Sequence, residues 1–170
     1  SAALQNTADN LNAFGYTAGY TNTGSDTNGI GRRAAFSNSG QYVNAIGLSS
    51  AESNSGDNVN ALGYEAAMNN TVAGTYVNAF GYQAAKGNSG GYVNAIGSGA
   101  LENNTGSDVN AFGNGAGSGN TINGATIFSN ASMPSYADYT AASAALASGT
   151  VGCTYLYHDQ ATNSIGAVRL

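Results

Sequence analysis

Large apolar, amide and small residues recur in a fixed order along most of this chain. The run Val43-Asn44-Ala45-Ile46-Gly47 returns as Val59-Asn60-Ala61-Leu62-Gly63, Val77-Asn78-Ala79-Phe80-Gly81, Val93-Asn94-Ala95-Ile96-Gly97 and Val109-Asn110-Ala111-Phe112-Gly113. It begins as Leu11-Asn12-Ala13-Phe14-Gly15, and a degraded copy sits at Thr27-Asn28-Gly29-Ile30-Gly31. The closing glycines step by 16 residues, except for one step of 18 between Gly63 and Gly81. A fixed period of this kind marks a stacked repeat, in which each sequence position becomes a ladder running along the stack.

Two corners per repeat set the shape of the coil. One is the glycine that closes each motif. The other is the Asn-Ser/Thr-Gly run at Asn38-Ser39-Gly40, Asn54-Ser55-Gly56, Asn88-Ser89-Gly90 and Asn104-Thr105-Gly106, residue types that tolerate positive φ. Two short strands per repeat are expected between them, one over V-N-A-I and one over the following x-A-A segment. Glycine recurs too often for helix.

Strand side chains alternate faces. The large ladder Phe14, Ile30, Ile46, Leu62, Phe80, Ile96 and Phe112 is expected to fill the core of the coil, with the Asn44 ladder on the same side. Val43 and Ala45, with their copies, then look outward and are too apolar to meet water. A second buried surface is needed, and an identical chain is the simplest supplier. The amides of Asn12, Asn28, Asn44, Asn60, Asn78, Asn94 and Asn110 are expected to bond to one another along the sheet, as in other stacked-strand assemblies. An Asn-lined ligand track is the alternative. Five residues after each glycine come Tyr20, Phe36, Glu52, Met68, Lys86, Glu102 and Ser118, a mixed ladder read as surface, with Lys86 and Glu102 as a neighbouring pair.

The pattern divides the chain into a lead-in over 1–10, a repeat array over 11–122 and a C-terminal segment over 123–170. In the last, Pro134 and Ser135 open a helix through the Ala-rich stretch to Ser148, and Gly149 ends it. Val151–Tyr157 and Ser164–Leu170 read as a hairpin around a turn at 159–163. This small α+β unit, helix plus β-hairpin, is expected to cap the open stack.

Composition narrows the function. Only 8% of the 170 residues are charged, 25 are glycine, and four basic residues leave a net charge of −5. Nucleic acid and anionic membranes are unsuited partners for such a surface. No apolar run is long enough to span a bilayer, so no membrane insertion is expected. No signal peptide is evident at Ser1, so residue 1 is expected to be a boundary left by processing or expression. The single Cys153 is read as a small buried apolar residue.

Candidate chemistry is sparse. His158, the one histidine, has no Cys or His partner nearby in sequence, so it is read as a turn residue, and no metal or cofactor is expected. Asp26 with Asp57, or Glu52 with Glu65, could approach on adjacent coils as a glycosidase pair needs; solvated surface is the favoured reading. Eleven tyrosines are the best contact residues. Tyr42, Tyr76 and Tyr92 recur two positions before the Asn, and Tyr16, Tyr64 and Tyr82 recur just after the glycine. They suit sugar faces and protein surfaces, or they shield the corners. The 18-residue step adds a bulge around Asn70 and Val72, either a tolerated insertion or a binding loop.

The Asn44-Ala45-Ile46-Gly47 core and its copies resemble the head repeats of YadA-like trimeric autotransporter adhesins. The present repeat departs from that family in its 16-residue period and in its Asn. The resemblance implies a left-handed parallel β-roll and a homotrimer. Tyr136-Ala137-Asp138, the alanines that follow, Val151-Gly152, Leu156-Tyr157-His158 and Val168-Arg169-Leu170 resemble the endings of phage tail and fibre proteins.

The expected fold is therefore an all-β repeat, a homotrimeric parallel β-roll or β-helix solenoid. The expected role is structural and adhesive. The chain would be the distal, receptor-binding part of a phage tail or head fibre on the virion, meeting a host-surface glycan or outer-membrane protein. A bacterial adhesin head on the cell surface and a fibre-borne glycan depolymerase are the alternatives.

Overall fold

A computed structural model describes residues 6–71 and 76–128, and the backbone of 154–159 and 164–169. The chain forms two compact units, Ser1–Ala131 and Ser132–Leu170. The first is a parallel β-solenoid of about seven turns. Its strands are β1 (Leu11–Phe14), β2 (Thr27–Ile30), β3 (Val43–Ile46), β4 (Val59–Leu62), β5 (Val77–Phe80), β6 (Val93–Ile96), β7 (Val109–Phe112) and β8 (Thr126–Phe128). They pair in chain order, all parallel. The register sets motif on motif, with Asn44 beside Asn60 and Ile46 beside Leu62. The two extra residues between β4 and β5 leave it unshifted, since Val59 still faces Val77. β8 carries the sheet past residue 122, placing Phe128 beside Phe112.

The second unit contains β9 (Thr154–Asp159) and β10 (Ser164–Arg169), an antiparallel pair with Ser164 opposite Asp159. The expected hairpin is present there. His158 lies within β9 opposite Ile165, not in a turn. The helix expected over 135–148 and the residue Cys153 lie outside the described residues.

Alternation within each strand is as expected, but its inward and outward senses are reversed. Val43, Val59, Val77, Val93 and Val109 are sealed from solvent, and so are Ala45, Ala61, Ala79, Ala95 and Ala111. The large ladder faces out: Phe14 is 78% exposed, Ile46 42%, Leu62 47%, Phe80 37%, Ile96 42% and Phe112 36%. The interior is too narrow for these side chains. A Cβ added at Gly29, in the Ala45 ladder, would lie 3.0 Å from Ala34 O and 3.5 Å from Ala35 Cβ. With the far wall that close, Val and Ala fit inside and Phe or Ile on the sheet does not; Leu101, on the far wall, is buried beside Gly117, where an added Cβ would lie 2.7 Å from it.

That far wall is the second departure. The x-A-A segment is a run of turns, not a strand. Its backbone alternates between the right- and left-handed regions: φ is +59° at Arg33, +52° at Ala35 and +53° at Ser37, and later coils repeat this. The peptide groups then bond alternately up and down the stack. Arg33 N–H donates to Tyr16 O at 3.0 Å, and Ala35 N–H donates to Ser50 O at 2.9 Å. Adjacent residues Ala34 and Ala35 are both buried, as are Ala66 with Ala67 and Ala84 with Ala85. Strand alternation would have exposed one of each pair.

The two corners hold for different reasons. Gly47 has φ +132°, and a Cβ there would lie 2.3 Å from Gly63 O in the next coil. At the other corner Gly40 is required by contact alone, because a Cβ would fall 1.9 Å from Gly56 O. The Asn of this corner is not the positive-φ residue expected. Asn22, Asn38, Asn54, Asn70, Asn88 and Asn104 point into the core and are buried. Each donates to the Oδ1 of the preceding coil: Asn38 to Asn22 at 2.8 Å, Asn54 to Asn38 at 2.7 Å, Asn88 to Asn70 at 2.9 Å. The second amide hydrogen closes the corner, as where Asn54 donates to Gly56 O at 2.7 Å. Among the described residues no buried side-chain nitrogen or oxygen lacks a partner, which is what permits amides in a core this dry.

Candidate functional site

Three features of the solenoid surface offer contact chemistry. The first is the outer face of the sheet. Its amide ladder is present as expected: Asn12 donates to Asn28 at 2.8 Å, Asn44 to Asn60 at 2.9 Å, Asn78 to Asn94 at 2.7 Å and Asn94 to Asn110 at 2.7 Å. These amides are exposed or half-buried, so the ladder orders a surface and does not satisfy a core. Beside it runs the large apolar ladder, ending in the stacked pair Phe112 and Phe128, ring centroids 5.5 Å apart.

The second feature is the tyrosines, which border this face. Tyr42, Tyr76 and Tyr92 precede the strands, and Tyr16, Tyr64 and Tyr82 follow the glycine corner; all six are exposed. Tyr64 and Tyr82 stack at 5.0 Å with planes 6° apart, and Tyr76 and Tyr92 meet at 5.8 Å. Tyr16 stands apart, three coils before Tyr64, with Arg32 and Leu48 occupying the rungs between. Tyr42 is separated from Tyr76 by Asn58 in the same way. Of the loop candidates, Asn70 is a correction: it is buried, donating to Asn54 at 2.8 Å and accepting from Asn88, so it cannot touch a ligand. Val72 lies outside the described residues.

The third feature was not foreseen. The mixed ladder read as surface is mostly half-buried, and Glu52 is buried, with 6% of its surface exposed. Its charges pair diagonally between coils. Arg33, two after its glycine, grips Glu52, five after the next glycine, through Nε at 3.1 Å and through Nη2. Glu65 and Lys86 repeat this geometry with the signs exchanged, at 2.5 Å. Lys86 therefore pairs with Glu65, not with Glu102. Opposite charges at these two offsets in neighbouring coils were the signal that would have revealed both pairs.

Between the two ion pairs the same diagonal holds Ser49 and Met68, which cannot pair. A cleft of about 460 Å³ opens over Ser49, lined by Arg32 and Leu48, by Arg33 with Glu52, and by Tyr64 with Met68. Its walls are held firmly. Arg33 also lies over the Phe36 ring, 4.5 Å from the centroid, and Phe36 stacks on Tyr20 at 5.5 Å. On the other side, hydrogen bonds from Lys86 and Gln83 hold the Glu65 carboxyl below its ordinary range. The same carboxylate raises the Tyr64 phenol, by hydrogen bonding and by its charge. Lys86 is raised in turn, chiefly by its bond to Glu65.

Among the described residues no three His, Cys, Asp or Glu side chains come together as a metal site, and no helix is long and apolar enough to cross a membrane. No protein-family model, curated protein or solved structure matches the chain.

Proposed function

We propose that this chain is a structural and adhesive fibre segment whose copies associate through the outer face of the sheet. The observation that carries the proposal is the exposed ladder from Phe14 to Phe112, seven large apolar side chains in one column. Monomeric soluble proteins rarely leave such a stripe to water. The stripe spans six inter-strand steps, about 29 Å at ~4.8 Å each. With the flanking tyrosines it is roughly 20 Å wide, which gives about 600 Å² per copy, close to the ~800 Å² each partner buries in a standard interface. An amide ladder beside an apolar ladder also suits a symmetric contact, because every rung repeats the same chemistry.

Three copies are the favoured assembly, on the resemblance of Asn44-Ala45-Ile46-Gly47 to trimeric adhesin heads. The resemblance of the C-terminal segment to phage tail endings favours a virion fibre, presenting its free surfaces to a host glycan or outer-membrane protein. A bacterial adhesin head is the second reading, supported by the same A-I-G core. Three weak sites on one trimer would bind a surface by avidity. A depolymerase gains no support from Glu52 and Glu65: each is taken up by a cation, Arg33 and Lys86, and is not placed beside the other as a glycosidase pair needs.

Size-exclusion chromatography with light scattering tests the assembly. The wild type is expected at three times the chain mass, and Ile46→Lys with Ile96→Lys is expected at one. A folded wild-type monomer at micromolar concentration would overturn the proposal.

A further inference from the structure

We infer that the cleft over Ser49 is a subsite for an acidic sugar, with the Arg32 guanidinium taking the sugar's carboxylate and the exposed part of the Tyr64 ring, beside Leu48, taking its ring. The inference rests on the adhesive reading and names the ligand class of one site within it.

Charge economy points to this place first. The chain has four basic residues and a net charge of −5, so its overall field repels anions. Two of those four, Arg32 and Arg33, are consecutive and line one cleft. Their roles differ. Arg33 is neutralised by the buried Glu52 carboxylate and fixed over Phe36. Arg32 is exposed, and it is in neither of the ion pairs found among the described residues. Among the described residues Arg32 is thus a cation outside the ion pairs, beside a wall that is already neutral and rigid. A guanidinium matches a carboxylate with two parallel hydrogen bonds. There is no glycine-rich cradle of free N–H groups beside it of the kind a polyphosphate needs, because Arg33 and Ser49 N–H groups are spent on Tyr16 O and Arg32 O at 3.0 and 2.9 Å.

The aromatic wall supplies the second half. Tyr64 stacks on Tyr82 on the following rung, and with Leu48 on the preceding rung it lines the cleft. An immobilised tyrosine face at low entropic cost suits the C–H face of a pyranose. Ser49 remains as a polar group for a ring hydroxyl.

Saturation-transfer NMR and calorimetry on the full chain test the site, with methyl glucuronide, methyl glucoside, glucose 6-sulfate and sodium acetate as probes. The glucuronide is expected to bind at millimolar strength, with its ring protons saturated. Arg32→Gln is expected to weaken it about tenfold, the loss of one charge-assisted pair. Tyr64→Ser should weaken it comparably, and Arg32→Lys should recover part. Both residues are exposed, so circular dichroism should show these variants folded. Stronger binding of the sulfate would assign the anion as sulfate and overturn the carboxylate. Equal binding of methyl glucoside, equal binding of acetate, or an unaffected Arg32→Gln would overturn the site. Attachment to bacteria bearing a uronate-rich capsule separates this inference from the adhesive reading. Attachment that Arg32→Gln leaves intact overturns the subsite alone. Glucuronide binding without attachment to any surface overturns the adhesive reading and leaves the subsite standing.

Discussion

Asn54 donates a side-chain N–H to Asn38 Oδ1 at 2.7 Å inside a core closed to water. On the outer face the order is reversed: Asn44 donates forward, to Asn60 at 2.9 Å. The buried amide column thus points toward the start of the chain and the exposed column toward its end. Within each column the amide dipoles align and reinforce one another, and between columns they oppose.

Only the buried column should be costly to break. Asn54→Ala removes the acceptor of Asn70 and leaves Gly56 without its side-chain partners. A loss of ~2–4 kcal/mol is expected, against less than ~1 kcal/mol for Asn44→Ala, whose neighbours can turn to water. Urea unfolding midpoints at unchanged slope measure the difference. Equal losses would contradict the assignment of the two columns.

The glycine corners allow a similar contrast. Gly47→Ala meets Gly63 O at 2.3 Å with φ at +132°, and should cost more than ~3 kcal/mol from overlap and strain together. Gly115 has φ +66° and nothing within 4 Å of an added Cβ, so Gly115→Ala should cost only ~1 kcal/mol. Thermal melts of the two variants decide it.

Val93 is 1% exposed and Ile96 is 42% exposed, three residues apart in one motif. Val93→Ala should lose ~2 kcal/mol at any protein concentration, the cost of a small core cavity. At high dilution Ile96→Ala should lose less than ~0.5 kcal/mol, as surface changes do. At concentrations where copies associate its loss should grow, because assembly stabilises by mass action. A concentration-independent loss at Ile96 would count against the associating face.

The Glu65–Lys86 pair sets a pH window. Glu65 is depressed in the fold, so its contribution is present above the ordinary carboxylate pKa of ~4.3 and is lost as pH falls through the folded value. Lys86 is raised, so its contribution is present below ~10.4 and is lost as pH rises through the folded value. Lys86→Met should therefore lower the melting temperature between about pH 5 and 10, by the equivalent of under ~1 kcal/mol. Below the folded value of Glu65 the variant and wild type should converge.

Much of the solenoid is legible in one dimension. The repeat of Val-Asn-Ala-Ile-Gly places each strand, its parallel partner and its register, because stacking sets every residue beside its own copy. The antiparallel pairing of β9 with β10 is legible in outline from the two strand-like runs near the C-terminus, though β9 covers 154–159 in place of the expected 151–157. The ion pairs are less so, since Arg33 and Glu52 lie 19 residues apart and meet on a diagonal that only the coil defines. The cleft over Ser49 is harder still. It exists because Ser49 and Met68 interrupt a diagonal that is charged on either side, and an interruption has no motif of its own.

The sequence by itself determined the period, the register and which positions share a face. Alternation along a strand is enough for that. It cannot say which face is inside, because both faces of Val43-Asn44-Ala45-Ile46 are partly apolar. The tertiary structure decided this through the width of the coil. The left-handed residues at Arg33, Ala35 and Ser37, repeated in each turn, fold the alanine wall close against the sheet. Between the two walls sit mainly Val, Ala and a self-bonded Asn column, with Leu101 as the one large exception among the described residues. The large side chains are driven outward, and the column they form there is the surface on which the proposed association depends.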